Sequence, residues 1–138
     1  MARIIRGQIV VAGEAQGVGL VSAEPLSFWG GYDQKTGEII DRRHPLSGQN
    51  GAHRVLALPS SRGSSTTTAV LLEAVRLGTA PAAIVTCGVD QFIALASIVA
   101  EEMYGRSIPV TAISMKDFAL LQSGQQIQVD QNGVLLIT

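Results

Sequence analysis

The feature that most constrains the fold is an alternation of apolar runs between residues 54 and 112. "RVLALP", Arg54 to Pro59, is short, continuous and closed by a proline. "AVLLEAVRLG" follows, with Val70, Leu71, Ala74, Val75 and Leu77 at helical spacing and Gly78 as a natural stop. "AAIVTCG" is a second apolar run of strand length, "DQFIALASIVAEEMYG" a second amphipathic helix ended by Gly105, and "IPVTAIS" a third strand. Short unbroken apolar runs suit strands buried on both faces. Strand-helix-strand-helix-strand order implies parallel pairing with right-handed crossovers.

The flanks are richer in strands. "ARIIRGQIVV" alternates as one strand, with Ile5, Ile9 and Val11 on one side. In "GEAQGVGLVSA" a short strand is expected at Gly19 to Ser22. Gly13, Gly17 and Gly19 lack G-x-G-x-x-G spacing and a following helix, so they read as turns or bulges. Pro25 to His53 is irregular and holds the only tryptophan, Trp29, beside Gly30 and Gly31. Within it "KTGEII" suggests a turn followed by a strand. Loops of this length inside a compact domain are uncommon and often functional. After the third strand come a helical turn near "MKDFALL" and a hairpin signalled by Asn132-Gly133. The economical arrangement is an α/β fold, a three-layer β/β/α domain with residues 1–138 as one unit.

Composition narrows the function. Hydrophobic residues make up 46% of the chain and charged residues only 15%. Such a thinly charged surface fits either partial cover by another chain or a small domain with an unusually buried sheet. A net charge of −1 without a Lys/Arg cluster leaves no footprint for nucleic acid. No run of apolar residues is long enough to span a bilayer, and the opening stretch reads as a strand rather than a signal peptide. The single cysteine, Cys87, excludes an internal disulfide and supplies at most one metal or cluster ligand. A cytoplasmic address fits best.

Chemistry concentrates in "LPSSRGSSTTTAVLLEAVRLG", where an arginine, a glycine and five consecutive hydroxyl residues stand at the mouth of a helix starting near Ser64 or Ser65. A helix N-terminus presents unpaired N–H groups and the positive end of the macrodipole. Arg62 adds a charge with bidentate geometry for a carboxylate or phosphate. Sites in α/β folds gather at the carboxyl ends of strands, which favours anion binding over a merely overbuilt cap. The G-x-S-x-G elbow is absent, so a serine acting as general base fits better than a nucleophile. That role needs excluded water and nearby positive charge. Elsewhere, "DRRHPL" (Asp41 to Leu46) reads either as a hydrated turn or as a loop facing a substrate or partner. His44 and His53 make a poor metal site without further ligands. Cys87 reads as a small buried hydrophobe, and Asp90 as the cap of the second helix.

"EPLSFWGGYDQKTGEIIDRRHPLSGQ" joined to "LPSSRGSSTTTAVLLEAVRLGTAPAAIV" resembles the small subunit, or swivel domain, of the aconitase X family. The resemblance runs from the opening strand to the final hairpin, and its specific parts are F-W-G-G-Y-D, D-x-R-H-P-L and R-G-S-S. It implies a swivelling β/β/α domain that closes over an aconitase X large subunit carrying an iron–sulfur cluster, with no cluster held by this chain. It implies dehydration of a small hydroxy acid, with cis-3-hydroxy-L-proline favoured and mevalonate 5-phosphate the alternative. Ser64 matches the family's proton-accepting serine, and Arg62, Gly63 and Ser65 match the surrounding substrate loop. The family often shows P-S-G-R-G-S, where this chain has Ser61, and a Gly-Ser pair where Thr67 and Thr68 stand. Both departures are expected on the substrate side. The rival without chemistry is an anion-binding or regulatory module of the same fold.

Overall fold

In the computed structural model, which describes residues 2–138, the elements follow one another as β1 (Arg3–Arg6), β2 (Gln8–Val11), β3 (Ala15–Val21), β4 (Val55–Ala57), α1 (Ser65–Leu77), β5 (Ala83–Cys87), α2 (Gln91–Tyr104), β6 (Val110–Ile113), α3 (Met115–Phe118), β7 (Gln126–Val129) and β8 (Val134–Ile137). The expected alternation is present: β4 pairs in parallel with β5, and β5 with β6. Both faces of these strands are covered. Val55 and Ala57 enter one core, while Leu56 and Leu58 enter the other.

The strand order is β1-β8-β7-β3-β4-β5-β6-β2. Its two ends, β1 and β2, are consecutive in the chain and separated only by Gly7, so the sheet curls into a nearly closed barrel. The opening segment pairs antiparallel first with β8 and then with β6. This division corrects the reading of one strand with Ile5, Ile9 and Val11 on one side. Ile5 is buried at 2% exposure, whereas Ile9 is 43% exposed. A change of partner at Gly7 and a register shift between Ile9 and Val11 break the alternation.

β3 changes partner in the same way, running antiparallel to β7 through Val18 and parallel to β4 from Gly19. It is therefore longer than the strand expected at Gly19 to Ser22. Gly17 and Gly19 lie inside it rather than at turns. A Cβ on Gly17 would stand 2.8 Å from the His53 carbonyl oxygen and 3.3 Å from the Arg54 Cα, so the glycine permits close backbone approach. Because that obstacle is backbone, Gly17→Ala is expected to destabilise the fold by about 1–3 kcal/mol. The measurement is a urea titration, with a lower midpoint and an unchanged slope.

The barrel encloses one core, which includes Ile5, Val85, Ile127 and Leu135 and is plugged at one end by Phe118 of α3. The second core lies between the sheet and the α1–α2 layer, around Leu20, Leu56, Leu71, Ile84 and Ile93. Two walls of one curled sheet plus a helical layer make up the β/β/α arrangement. The hairpin closes as expected, with Asp130 Oδ1 accepting from the N–H groups of Asn132 and Val134.

The turn read at "KTGEII" is present, with the Thr36 and Gly37 N–H groups donating to the Asp33 carbonyl, but no regular strand follows it. Residues 25–50 form isolated bridges, including Tyr32 with Ile39 and Glu38 with Asn50, and are held by scattered backbone hydrogen bonds together with buried side chains. Leu26, Phe28 and Ile39 are fully buried in the helical-side core. Tyr32 donates its hydroxyl to the Thr79 carbonyl at 2.6 Å, and its burial pushes the phenol well above the ordinary range. His44 is buried too. Its Nδ1 accepts from the Leu46 N–H at 3.1 Å, which leaves Nε2–H to face the Glu24 carbonyl at 3.3 Å. That histidine braces its own loop, while Arg42 and Arg43 stay exposed.

Candidate functional site at the carboxyl end of the parallel strands

The loop between β4 and α1 leaves the carboxyl end of the parallel sheet and is strapped on both sides. Toward β3, the Arg62 N–H donates to the Leu26 carbonyl at 3.0 Å, and Leu26 forms a parallel bridge with Ser61. Toward β5, the Cys87 N–H donates to the Pro59 carbonyl at 3.1 Å. Beyond it, the Ser61 N–H and Oγ–H both donate to Asp90 Oδ2 at 2.7 Å. Gly63 lies on the Phe92 ring, where a Cβ would come within 2.5 Å of Cδ2. Only glycine fits against that ring without moving it.

Ser64 then caps α1 from an extended conformation, with φ −160° and ψ 175°. Its Oγ accepts from the Thr66 N–H at 3.3 Å and shares a short hydrogen bond with the Thr66 hydroxyl. Two donors from one residue can thus converge on one exposed serine oxygen. Arg62, Gly63, Ser64 and Ser65 are all exposed, so the structure presents these sequence-predicted residues as one contiguous outward-facing strip. The first turn of α1 carries no acid, so the positive end of its dipole is uncompensated. The α2 mouth differs, because Asp90 Oδ1 fills it by accepting from the Phe92 and Ile93 N–H groups. Among the described residues the one ion pair joins Arg76 to Glu73, leaving the Arg62 guanidinium free of a carboxylate.

The hydroxyl run divides by direction. Ser64, Ser65 and Thr66 face outward, whereas Thr67 is 1% exposed and Thr68 Oγ1 donates to the Phe92 carbonyl at 2.9 Å. This corrects the expectation that Ser61, Thr67 and Thr68 lie on the substrate side. Each turns toward the fold, where it fixes the loop or the α1–α2 contact. Cys87 is half-buried rather than fully buried, and its surroundings push the thiol pKa up, the opposite of an activated thiolate. No group of three His, Cys, Asp or Glu side chains comes together among the described residues. A cluster built on several thiolates does not fit this donor set. Sequence reasoning missed the Leu26 brace and the second role of Asp90, both contacts between distant segments.

Apolar side chains stand on the same end of the sheet. Val89, after β5, is 59% exposed and Met115, after β6, is 79% exposed. Beside the loop, a cleft of about 430 Å³ lies among Ala23, Pro59, Ser60, Cys87, Met115 and Phe118.

A curled sheet backed by two helices, with an uncompensated helix mouth carried outward on a strapped loop, defines a swivel-type domain. The crystal structure of Thermococcus kodakaraensis aconitase X in its holo-form shares this architecture, with a TM-score of 0.87 at 29% identity over 99% of this chain and 98% of that one. A solution structure of a UPF0107 protein gives 0.85 at 28% identity, covering 99% of each chain. The family model for the aconitase X swivel domain matches residues 4–137, and the chain belongs to that family. The cis-3-hydroxy-L-proline dehydratase of Pseudomonas aeruginosa is 48% identical over 112 residues, which is 81% of this chain and 19% of that protein. The Hypocrea jecorina enzyme of the same name is 40% identical over 91% of this chain and 21% of its own length. The chain therefore spans about a fifth of these two relatives. The phosphomevalonate dehydratase small subunit of Methanothermobacter thermautotrophicus is 36% identical over 89% of this chain and 90% of that one.

Proposed function

We propose that this chain, with residues 1–138 acting as one swivel-type domain, is the small-subunit component of a hydro-lyase that dehydrates a small hydroxy acid, cis-3-hydroxy-L-proline being the favoured substrate. Ser64 is the general base. Arg62, Gly63 and Ser65 hold the substrate carboxylate through the guanidinium, the loop backbone and the Ser65 N–H or hydroxyl. The partner is an aconitase X large subunit, which carries the iron–sulfur cluster of the assembly.

One observation carries the reading: Ser64 is exposed at an uncompensated helix mouth, where its Oγ accepts the Thr66 N–H and shares a hydrogen bond with the Thr66 hydroxyl. An alkoxide is a strong base, and hydrogen bonds together with positive charge in a dry site favour its formation. Docking of the carboxyl-end face onto the partner would exclude water there. In the proton transfer, the C–H proton moves to Ser64 Oγ and the C–H electron pair becomes the new C=C bond. The adjacent C–O bond breaks with its electron pair leaving on the hydroxyl oxygen, and this hydroxide becomes water by taking up one proton, which balances the proton given up when Ser64 Oγ ionised. Arg62 and the α1 N–H groups keep the carboxylate still while this happens.

The identity of 48% to a cis-3-hydroxy-L-proline dehydratase supports the favoured substrate. Mevalonate 5-phosphate is the second reading, supported by the match over 90% of a phosphomevalonate dehydratase small subunit. Mixing the purified chain with an aconitase X large subunit and offering both compounds tests the proposal. Turnover of cis-3-hydroxy-L-proline only in the mixture is the expected result. Turnover of mevalonate 5-phosphate instead reassigns the substrate, and activity on neither removes the hydro-lyase reading.

A further inference from the structure

We infer that Asp90 is a positioning residue for the Ser64 base, one carboxylate that fastens the catalytic loop to the start of α2. The inference rests on the functional reading above and extends it to a residue outside the R-G-S-S strip. Asp90 is 8% exposed and has no cationic partner among the described residues. Its charge is met instead by four donors. Oδ1 takes the Phe92 and Ile93 N–H groups at 3.0 and 3.1 Å, and Oδ2 takes the Ser61 N–H and Oγ–H, both at 2.7 Å.

An ordinary cap needs only the first of these oxygens. The second reaches 29 residues back along the chain to Ser61, three positions before Ser64. Hydrogen bonds to a charged acceptor are shorter and stronger than neutral ones, which fits the 2.7 Å pair. Two further contacts act in the same direction: Gly63 rests on the Phe92 ring, and Thr68 Oγ1 reaches the Phe92 carbonyl. The loop before Ser64 and the first turn after it are thus both registered against the first turn of α2. Base catalysis depends on placement to a fraction of an ångström, so loosening this register should slow proton removal more than it weakens substrate binding.

Asp90→Ser separates the two roles. Serine caps a helix about as well as aspartate but is too short and has too few oxygens to hold Ser61 as well. In the assembled complex, Asp90→Ser is expected to lower kcat about tenfold or more, with KM within about twofold. The melting temperature should stay within about 4 °C of the unchanged chain. Ser61→Ala leaves the α2 cap whole and deletes only the hydroxyl bond, so a smaller fall in kcat, on the order of threefold, is expected at constant KM. This second variant decides the matter should the first fail to assemble. Unchanged kcat in a folded Asp90→Ser complex, or a rise in KM without loss of kcat, overturns the inference. Ser64→Ala, measured beside them, distinguishes the failures. If it abolishes turnover while the Asp90 and Ser61 variants keep theirs, only the positioning role falls; if it too keeps turnover, the base assignment falls with it.

Discussion

Ser64→Ala should lower kcat of the assembled complex by about 10²–10⁴-fold, the usual contribution of a general base, with KM within about threefold. The variant also loses a helix cap, so stability needs separate treatment. Ser64 Oγ accepts the Thr66 N–H at a long 3.3 Å, which places the cap near the low end of its usual worth, about 0.5–1 kcal/mol. Such a loss shifts the melting temperature by a few degrees at most and cannot by itself remove turnover at ordinary assay temperatures. Ser64→Gly sharpens the contrast. Glycine accepts the extended backbone at this position, caps almost as well as serine and adds no bulk to obstruct substrate. Its stability should return close to that of the unchanged chain while turnover stays lost. Recovery of turnover in the glycine variant would show that α1 required only a cap, and that some other group takes the proton.

The parts of this arrangement that were legible in the sequence are those encoded locally. Apolar runs at Val55–Ala57, Ala83–Cys87 and Val110–Ile113 read as strands buried on both faces because no charged side chain interrupts them, Thr86 and Thr111 being their only polar members. The helices were bounded by Ser64, Gly78, Asp90 and Gly105, each a cap within its own turn. Barrel closure was hidden, since it depends on strands that change partner at Gly7 and within β3, and alternation within one strand does not report which neighbour it meets. Gly17 read as a turn for the same reason: the His53 carbonyl that crowds it arrives from 36 residues away in the chain. At the site, the outward strip from Arg62 to Ser65 was legible through its chemistry. The inward turn of Thr67 left a usable signal, because Thr67, Val70, Leu71 and Ala74 share the buried helical stripe. Nothing local marked the Ser61–Asp90 and Leu26–Arg62 bonds, which hold the strip in place.

Phe28→Ala should show how far that support extends into the core. Residues 25–50 lack a regular strand to hold them, so their position depends on Leu26, Phe28 and Ile39, each fully buried. The Phe28 ring is tilted against Tyr32 with centroids 5.7 Å apart, and its carbonyl accepts the Tyr32 N–H at 3.1 Å. Truncation at such a position costs about 3–5 kcal/mol, a large share of the 5–15 kcal/mol typical of a domain. Chemical denaturation should register that loss directly. A second effect follows from position. Leu26 stands two residues upstream, and its carbonyl receives the Arg62 N–H at 3.0 Å, so a cavity beneath Phe28 should slacken the strap on the site loop. Under conditions where the variant remains folded and assembled, kcat should therefore fall on the order of tenfold. Leu135→Ala is the matched control: it empties a fully buried position in the barrel core, on the other side of the sheet, at a comparable cost of about 2–5 kcal/mol. That variant should lose stability and keep its turnover, because no bond on its side of the sheet reaches Arg62. Equal losses of kcat in the two variants would mean that turnover follows general stability, and that the Leu26 strap has no separate part in holding the loop.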